Sequence, residues 1–199
     1  MGTRSTKKAA TRQALVDAAA RLFAEQGVEG TTMDQIARAA GTSRTSVFNY
    51  FPYKEMILGE IGARYVNAVA ERALSQPYPD TRAMLLAVVD AITELATREP
   101  AVIAAVAREM SHPDLERRQR AQELMHYPVL VERILDQLAA EGKLEDEEKR
   151  ESLGRQMVDL TVGVLVRAGG DFPLSQVHSE LEANVDLILG GLSPKPATG

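Results

Sequence analysis

Apolar positions recur at helical spacing over almost the whole chain. Between about Lys8 and Gln26, residues Leu15, Ala18, Ala19, Leu22 and Phe23 form one stripe of a helix with ~3.6 residues per turn. Gly27 stands where a left-handed cap ends such a helix. Thr32-Met-Asp-Gln35 carries the threonine and glutamine of a capping box and opens a short second helix, with Ile36, Ala37 and Ala40 facing inward. Gly41 ends it, Thr42 or Ser43 caps a third helix running to about Tyr50, and Pro52 breaks the chain. Lys54 to roughly Leu74 reads as a long amphipathic helix.

Further along, Gln76-Pro-Tyr-Pro79 is an interruption, and helices are expected at about 81–97, 100–110 and 114–141. Pro128 inside the last of these predicts a kink or a division into two. Gly142 ends that stretch, and Asp146 with the acids behind it suits the start of a helix running to about Ala168. A final helix spans about 174–190, and 193–199 is expected to be a loose tail. No stretch alternates with period two and no internal repeat is present. The expected fold is all-α with about nine helices: a three-helix head containing a helix-turn-helix, then a helical body. The expected domains are 1–54, 55–192 and the tail 193–199.

Composition narrows the chemistry. The chain has 199 residues and no cysteine, which excludes disulfides, thiolate metal sites and cysteine nucleophiles and points to a reducing compartment. No stretch approaches the ~18 consecutive apolar residues of a membrane span, so a cytoplasmic location is expected. The histidines, at 112, 126 and 178, are too far apart for a His-x-x-x-His motif. Serine-containing runs lack a nucleophile elbow, and the acids at 145–148 suit a helix start better than acid–base work. Neither a catalytic site, a metal nor a cofactor is expected.

Net charge is −5, which on its face argues against nucleic acid. Its distribution argues the other way. Residues 1–54 hold eight bases and four acids, a net of +4, which leaves −9 for the rest. Within that basic head, the third helix is short and polar on one side. Val47 and Phe51 can pack inward, with Phe48 near the boundary. Arg44, Thr45, Ser46, Asn49 and Tyr50 are left for a groove, with Thr42 and Ser43 at the helix start. Arginine reads guanine bidentately, asparagine can read adenine, and hydroxyls reach base or phosphate. Thr31 and Thr32 open the second helix, whose free N–H groups suit a phosphate, and Lys54 can reach the same backbone as a point charge.

The ordered set Ala18-Ala19, Leu22-Phe23, Gly27, Thr31-Thr32, Ile36-Ala37, Ala40-Gly41 and Phe48 to Glu55 resembles the DNA-binding head of the tetracycline-repressor (TetR) family. The resemblance covers residues 11–58, about a quarter of the chain. It implies a dimeric transcriptional regulator, most simply a repressor on palindromic double-stranded DNA, relieved by a small molecule. It departs from the family at Phe48, where a tyrosine is common and its hydroxyl often meets a phosphate. The segment around Arg4, Lys7 and Lys8 offers further backbone or minor-groove contacts.

In the body, Leu153, Met157, Leu160 and Val164 form one apolar stripe, and Val177, Leu181, Val185 and Ile188 form another. Pairing these stripes with their copies gives the four-helix homodimer interface that the resemblance implies; core packing within one chain is the alternative. The middle helices are rich in small and aliphatic side chains, with Tyr65, Arg108 and His126 as candidate polar groups of a largely apolar ligand site. A second reading of the whole chain is a helical dimer that binds a ligand or partner and leaves its head unused.

Overall fold

The computed structural model describes residues 3–124, 128–144, 146–168 and 172–192. Within them are ten α-helices, one 3-10 turn and no strand. The helices are α1 (Thr3–Gly30), α2 (Met33–Ala39), α3 (Arg44–Tyr50), α4 (Lys54–Ala73) and α5 (Thr81–Arg98), then α6 (Pro100–Met110), α7 (Leu115–Leu124), α8 (Pro128–Ala140), α9 (Glu147–Ala168) and α10 (Val177–Gly191). Pro128 thus starts a new helix, α8, where it is tolerated at the first position. The tail 193–199 lies outside the described residues, as does His126.

The first helix begins at Thr3, so Lys7 and Lys8 sit in its opening turns and not on an extended arm. Its far end is interrupted at Gly27, with φ 77° and ψ 164°. That is not the left-handed cap expected from sequence but a region reached almost only by glycine. The chain turns there, and Thr32 then opens α2 with both halves of the capping box formed. Gly41, at φ 63°, makes the turn into α3, which Ser43 caps through the Ser46 N–H at 3.1 Å.

One core joins the head to the body. Leu15, Phe23, Ile36, Val47 and Phe51 are fully enclosed and meet Ile57 and Ile61 of α4. Val102, Val106 and Met110 of α6 complete the same cluster. Arg12 lies 4.4 Å from the Phe51 ring centre and pairs with Glu60, while Arg64 pairs with Asp17 at 2.7 Å, so α1 is tied along α4. Helix α6 is apolar on nearly every side from Val102 to Ala107, the pattern of a helix with no solvent face. It packs against α1, α4, α5, α7 and α9. A second core, between α4, α5, α8, α9 and α10 with Ile103 of α6, fills the rest of the body.

Candidate functional site

The outer face of α3 is the first candidate. Arg44, Thr45, Phe48 and Asn49 are all exposed and fall within about 140° of the helix circumference. Val47 on the opposite side is fully buried. The side chains that can meet a groove are therefore held by a buried anchor on the same seven-residue helix. Ser43 is exposed but occupied as the cap, Ser46 and Thr42 are half-buried, and Tyr50 packs partly against the head core.

Three head residues stand differently from the sequence expectation. Thr31 is only 1% exposed; its hydroxyl donates to the Gly27 carbonyl at 2.7 Å and accepts from Gln26 Nε2 at 3.3 Å. Its side chain holds the turn and does not face a phosphate. Thr32 is exposed, but its N–H and hydroxyl are engaged with Gln35 Oε1 at 2.7 and 2.9 Å. The Lys54 side chain is 21% exposed, and its ammonium donates to the carbonyls of Val28 at 2.7 Å and Thr31 at 3.4 Å. It ties α4 to the turn between α1 and α2. The Val28 carbonyl already accepts the Thr31 N–H at 3.3 Å and takes the ammonium on its remaining acceptor capacity, a contact that sequence spacing over 26 residues does not reveal.

The second candidate is a pocket of about 170 Å³ lined by α4, α5, α6, α8 and α9. Aliphatic and methionine side chains make almost all of its wall; the hydroxyls come from Tyr65 and Thr161. No lysine, arginine or histidine lines it among the described residues. Tyr65 is the predicted ligand residue found there, and its hydroxyl donates to the Glu99 carboxylate. Burial, reinforced by that hydrogen bond and by the charge of Glu99, pushes the phenol well above its ordinary range. The Thr161 hydroxyl donates to the Met157 carbonyl at 2.9 Å. Arg108 is not in the wall: it is exposed on α6, whose apolar sides take the interior positions. Val106, Ala107, Met110 and Val162 belong both to the cavity wall and to the head core.

The two apolar stripes of α9 and α10 also need correction. Leu153, Met157, Val164, Val177, Leu181 and Val185 are buried within a single chain, and Met157 lines the cavity. A helix shows its most apolar stripe to its own core first, so these six residues cannot form an outer face. Leu160 and Ile188 keep partial exposure. The surface beside them carries Gly163, Ala183, Gly190 and Leu187, the last 66% exposed.

No group of three or more potential metal ligands forms among the described residues. Glu109 and His112 do stand at a Glu-x-x-His spacing, but Glu109 is buried and the His112 Nδ1 accepts the Asp114 N–H at 3.1 Å. No helix among the described residues is long and apolar enough to cross a membrane.

The family model for bacterial regulatory proteins of the tetR family matches residues 15–61, and that for the C-terminal domain of TetR/AcrR family transcriptional repressors matches 63–191. Among solved structures, the chain is similar to Thermus thermophilus FadR, a TetR family transcriptional repressor, in complex with lauroyl-CoA. Identity is 30%, the TM-score is 0.82, and 94% of this chain and 98% of that one are covered. A TetR transcriptional regulator from Rhodococcus sp. RHA1 shares the fold at 20% identity and a TM-score of 0.74, over 94% of this chain and 100% of that one. Among curated proteins, the regulator AcrR of Shigella flexneri is 43% identical over 60 residues, 29% of this chain and 28% of that protein. The repressor KstR2 of Rhodococcus jostii is 33% identical over 107 residues, 53% of this chain and 52% of that protein. The chain thus spans between about a quarter and about half the length of these curated relatives.

Proposed function

The chain belongs to the tetR family of bacterial transcriptional regulators, and from that premise we propose that it is a homodimeric repressor. It binds a palindromic operator and is released by a small molecule with a long apolar part. The observation that carries the reading is the α3 face, where Arg44, Thr45 and Asn49 project from a helix anchored by buried Val47. In this reading, residues 1–54 form the DNA-reading unit and 55–192 the effector and dimer unit. Two copies of α3 enter successive major grooves about 34 Å apart, which requires an inverted repeat.

Leu187, with Leu160, Gly163, Ala183, Ile188 and Gly190, forms the pairing surface of α9 and α10 in this proposal. Small residues there let two helix pairs approach closely, and an exposed leucine gains by being covered.

For the effector, the aliphatic cavity wall favours a hydrocarbon chain, and the similar FadR is solved with lauroyl-CoA. We therefore assign the ligand to the acyl thioesters. The absence of any cation from the described wall keeps the charged part of such a ligand outside the cavity. Ligand pressing on Val106, Ala107 and Met110 reaches the head core directly, because those side chains belong to both. A ligand releases DNA only through its differential affinity for the two states.

Selection of bound duplexes from a random pool at near-physiological salt tests the first half; an enriched inverted repeat is expected. Titrating lauroyl-CoA into the complex with the selected site tests the second, with at least about fivefold weaker DNA binding expected. No enrichment from folded dimer would transfer the function to ligand or partner binding alone.

A further inference from the structure

Arg44 is the first residue of α3 and is 68% exposed, yet two neighbours hold it. Its Nη1 lies 2.9 Å from Asp34 Oδ2 on α2, and its guanidinium carbon lies 5.5 Å from the centre of the Phe48 ring one turn further along α3. The other oxygen of Asp34, Oδ1, is enclosed and has no hydrogen-bond partner among the described residues. The Asp34 side chain is 49% exposed overall, but with Oδ1 enclosed and Oδ2 on Nη1 its charge rests beside the guanidinium. From this arrangement we propose that Asp34 is a specificity-determining residue of the DNA-reading surface, acting through Arg44. The inference rests on the proposed role of the α3 face in reading bases.

A long arginine on an exposed helix start is by default an indiscriminate phosphate binder, because it has five N–H donors and many rotamers. Two features oppose that here. The Phe48 ring and the Asp34 carboxylate both hold the guanidinium, which restricts its rotamers before DNA arrives. The Asp34 charge also repels a phosphate approaching Arg44, whereas guanine, whose O6 and N7 carry only partial negative charge, meets much weaker opposition. Asp34 thus lowers affinity for DNA in general and raises discrimination at one base, a repulsive element that serves selectivity. Placement in the first turn of α2 also suits its charge, which explains its tolerance there but not its contact with Arg44.

The test uses the full chain as wild type, Asp34→Ala, Arg44→Ala and the double variant, each checked by thermal unfolding. Each is put through selection from random duplexes and a salt series. Asp34→Ala is expected to bind random DNA about two- to fivefold more tightly and to lose preference at one base by a similar factor, the range an exposed ion pair commands. The salt slope should steepen by about 0.9 as the freed arginine takes a phosphate. With Arg44 already removed, the Asp34 change should leave base preference where it was. Asp34→Asn, which keeps the shape without the charge, should shift preference in the same direction and serves if the alanine variant does not fold. An unaltered preference in both Asp34 variants, or an equal change with Arg44 absent, would overturn the role. A wild-type protein that enriches no duplex would overturn the DNA-reading function beneath it.

Discussion

The Lys54 ammonium sits 2.7 Å from the Val28 carbonyl oxygen, joining the first residue of α4 to the far end of α1. A second acceptor, the Thr31 carbonyl, lies at 3.4 Å. A charged donor at this position organises the head. Lys54→Ala should cost about 1–3 kcal/mol of stability, the worth of hydrogen bonds from a charged group. Thermal unfolding reads that loss. The salt dependence of DNA binding should keep its slope; a slope shallower by about 0.9 would instead place Lys54 on a phosphate.

Leu187 and Leu181 lie on the same helix and should respond oppositely to a charge. Leu187 is exposed and Leu181 buried. Leu187→Asp should leave the helical content intact while sedimentation shows monomers and DNA binding falls. Leu181→Asp should fail to fold, because a carboxylate in an apolar core has no partner. A dimeric Leu187→Asp protein would move the pairing surface elsewhere.

Glu141 gives a specific acid dependence. Its Oε1 accepts from the Thr81 N–H at 2.7 Å and the Thr81 hydroxyl at 2.8 Å, and its Oε2 from Lys143 at 2.8 Å, so α8 and α5 are joined end to end. Burial alone would raise this carboxyl; the hydrogen bonds from Lys143, Thr81 and Gln137 overcome it and hold it at about 2, below its ordinary 4.5. The folded-state value is depressed, so the stability it confers is complete above about pH 4.5 and is lost as pH falls toward 2. The loss is about 2–3 kcal/mol. Denaturant midpoints between pH 5.5 and pH 3 should show it, and Glu141→Gln should flatten that part of the curve.

Gly27→Ala meets no neighbouring atom within 4 Å, so any effect is conformational. With φ 77° and ψ 164°, the backbone there lies outside what an L side chain adopts, at a cost of about 1–3 kcal/mol. Circular dichroism on heating should show a lower midpoint. An unchanged midpoint would mean that the chain passes from α1 to α2 by another route.

Much of this architecture is legible in the chain because its helices are punctuated by short-range chemistry. The Thr32–Gln35 box, Pro100 and Pro128 at helix starts, and the glycines at 27, 41 and 142 all act within a few residues. The exposed positions Arg44, Thr45 and Asn49 followed from a buried Val47 on a short helix. What escaped is non-local. Thr31 is buried because α1 bends back at Gly27, and Lys54 is engaged because α4 starts beneath that bend. Periodicity identifies an apolar stripe but not which of two neighbours covers it; thus Leu153 and Val185 were expected outside and lie inside. The cavity is assembled from five helices, and Arg108 is outside it because α6 turns every apolar side inward first.

Val106, Ala107, Met110 and Val162 each touch two interiors at once. In the proposed function, a substitution there that reshapes the chamber for a different inducer also loosens or tightens the head in the resting protein, so effector preference and background gene silencing are not separately adjustable at that wall. An engineer converting this regulator into a sensor would do better on the α5 and α8 sides, at Leu85, Val88 or Leu130, where changes of shape stay remote from the promoter-gripping end.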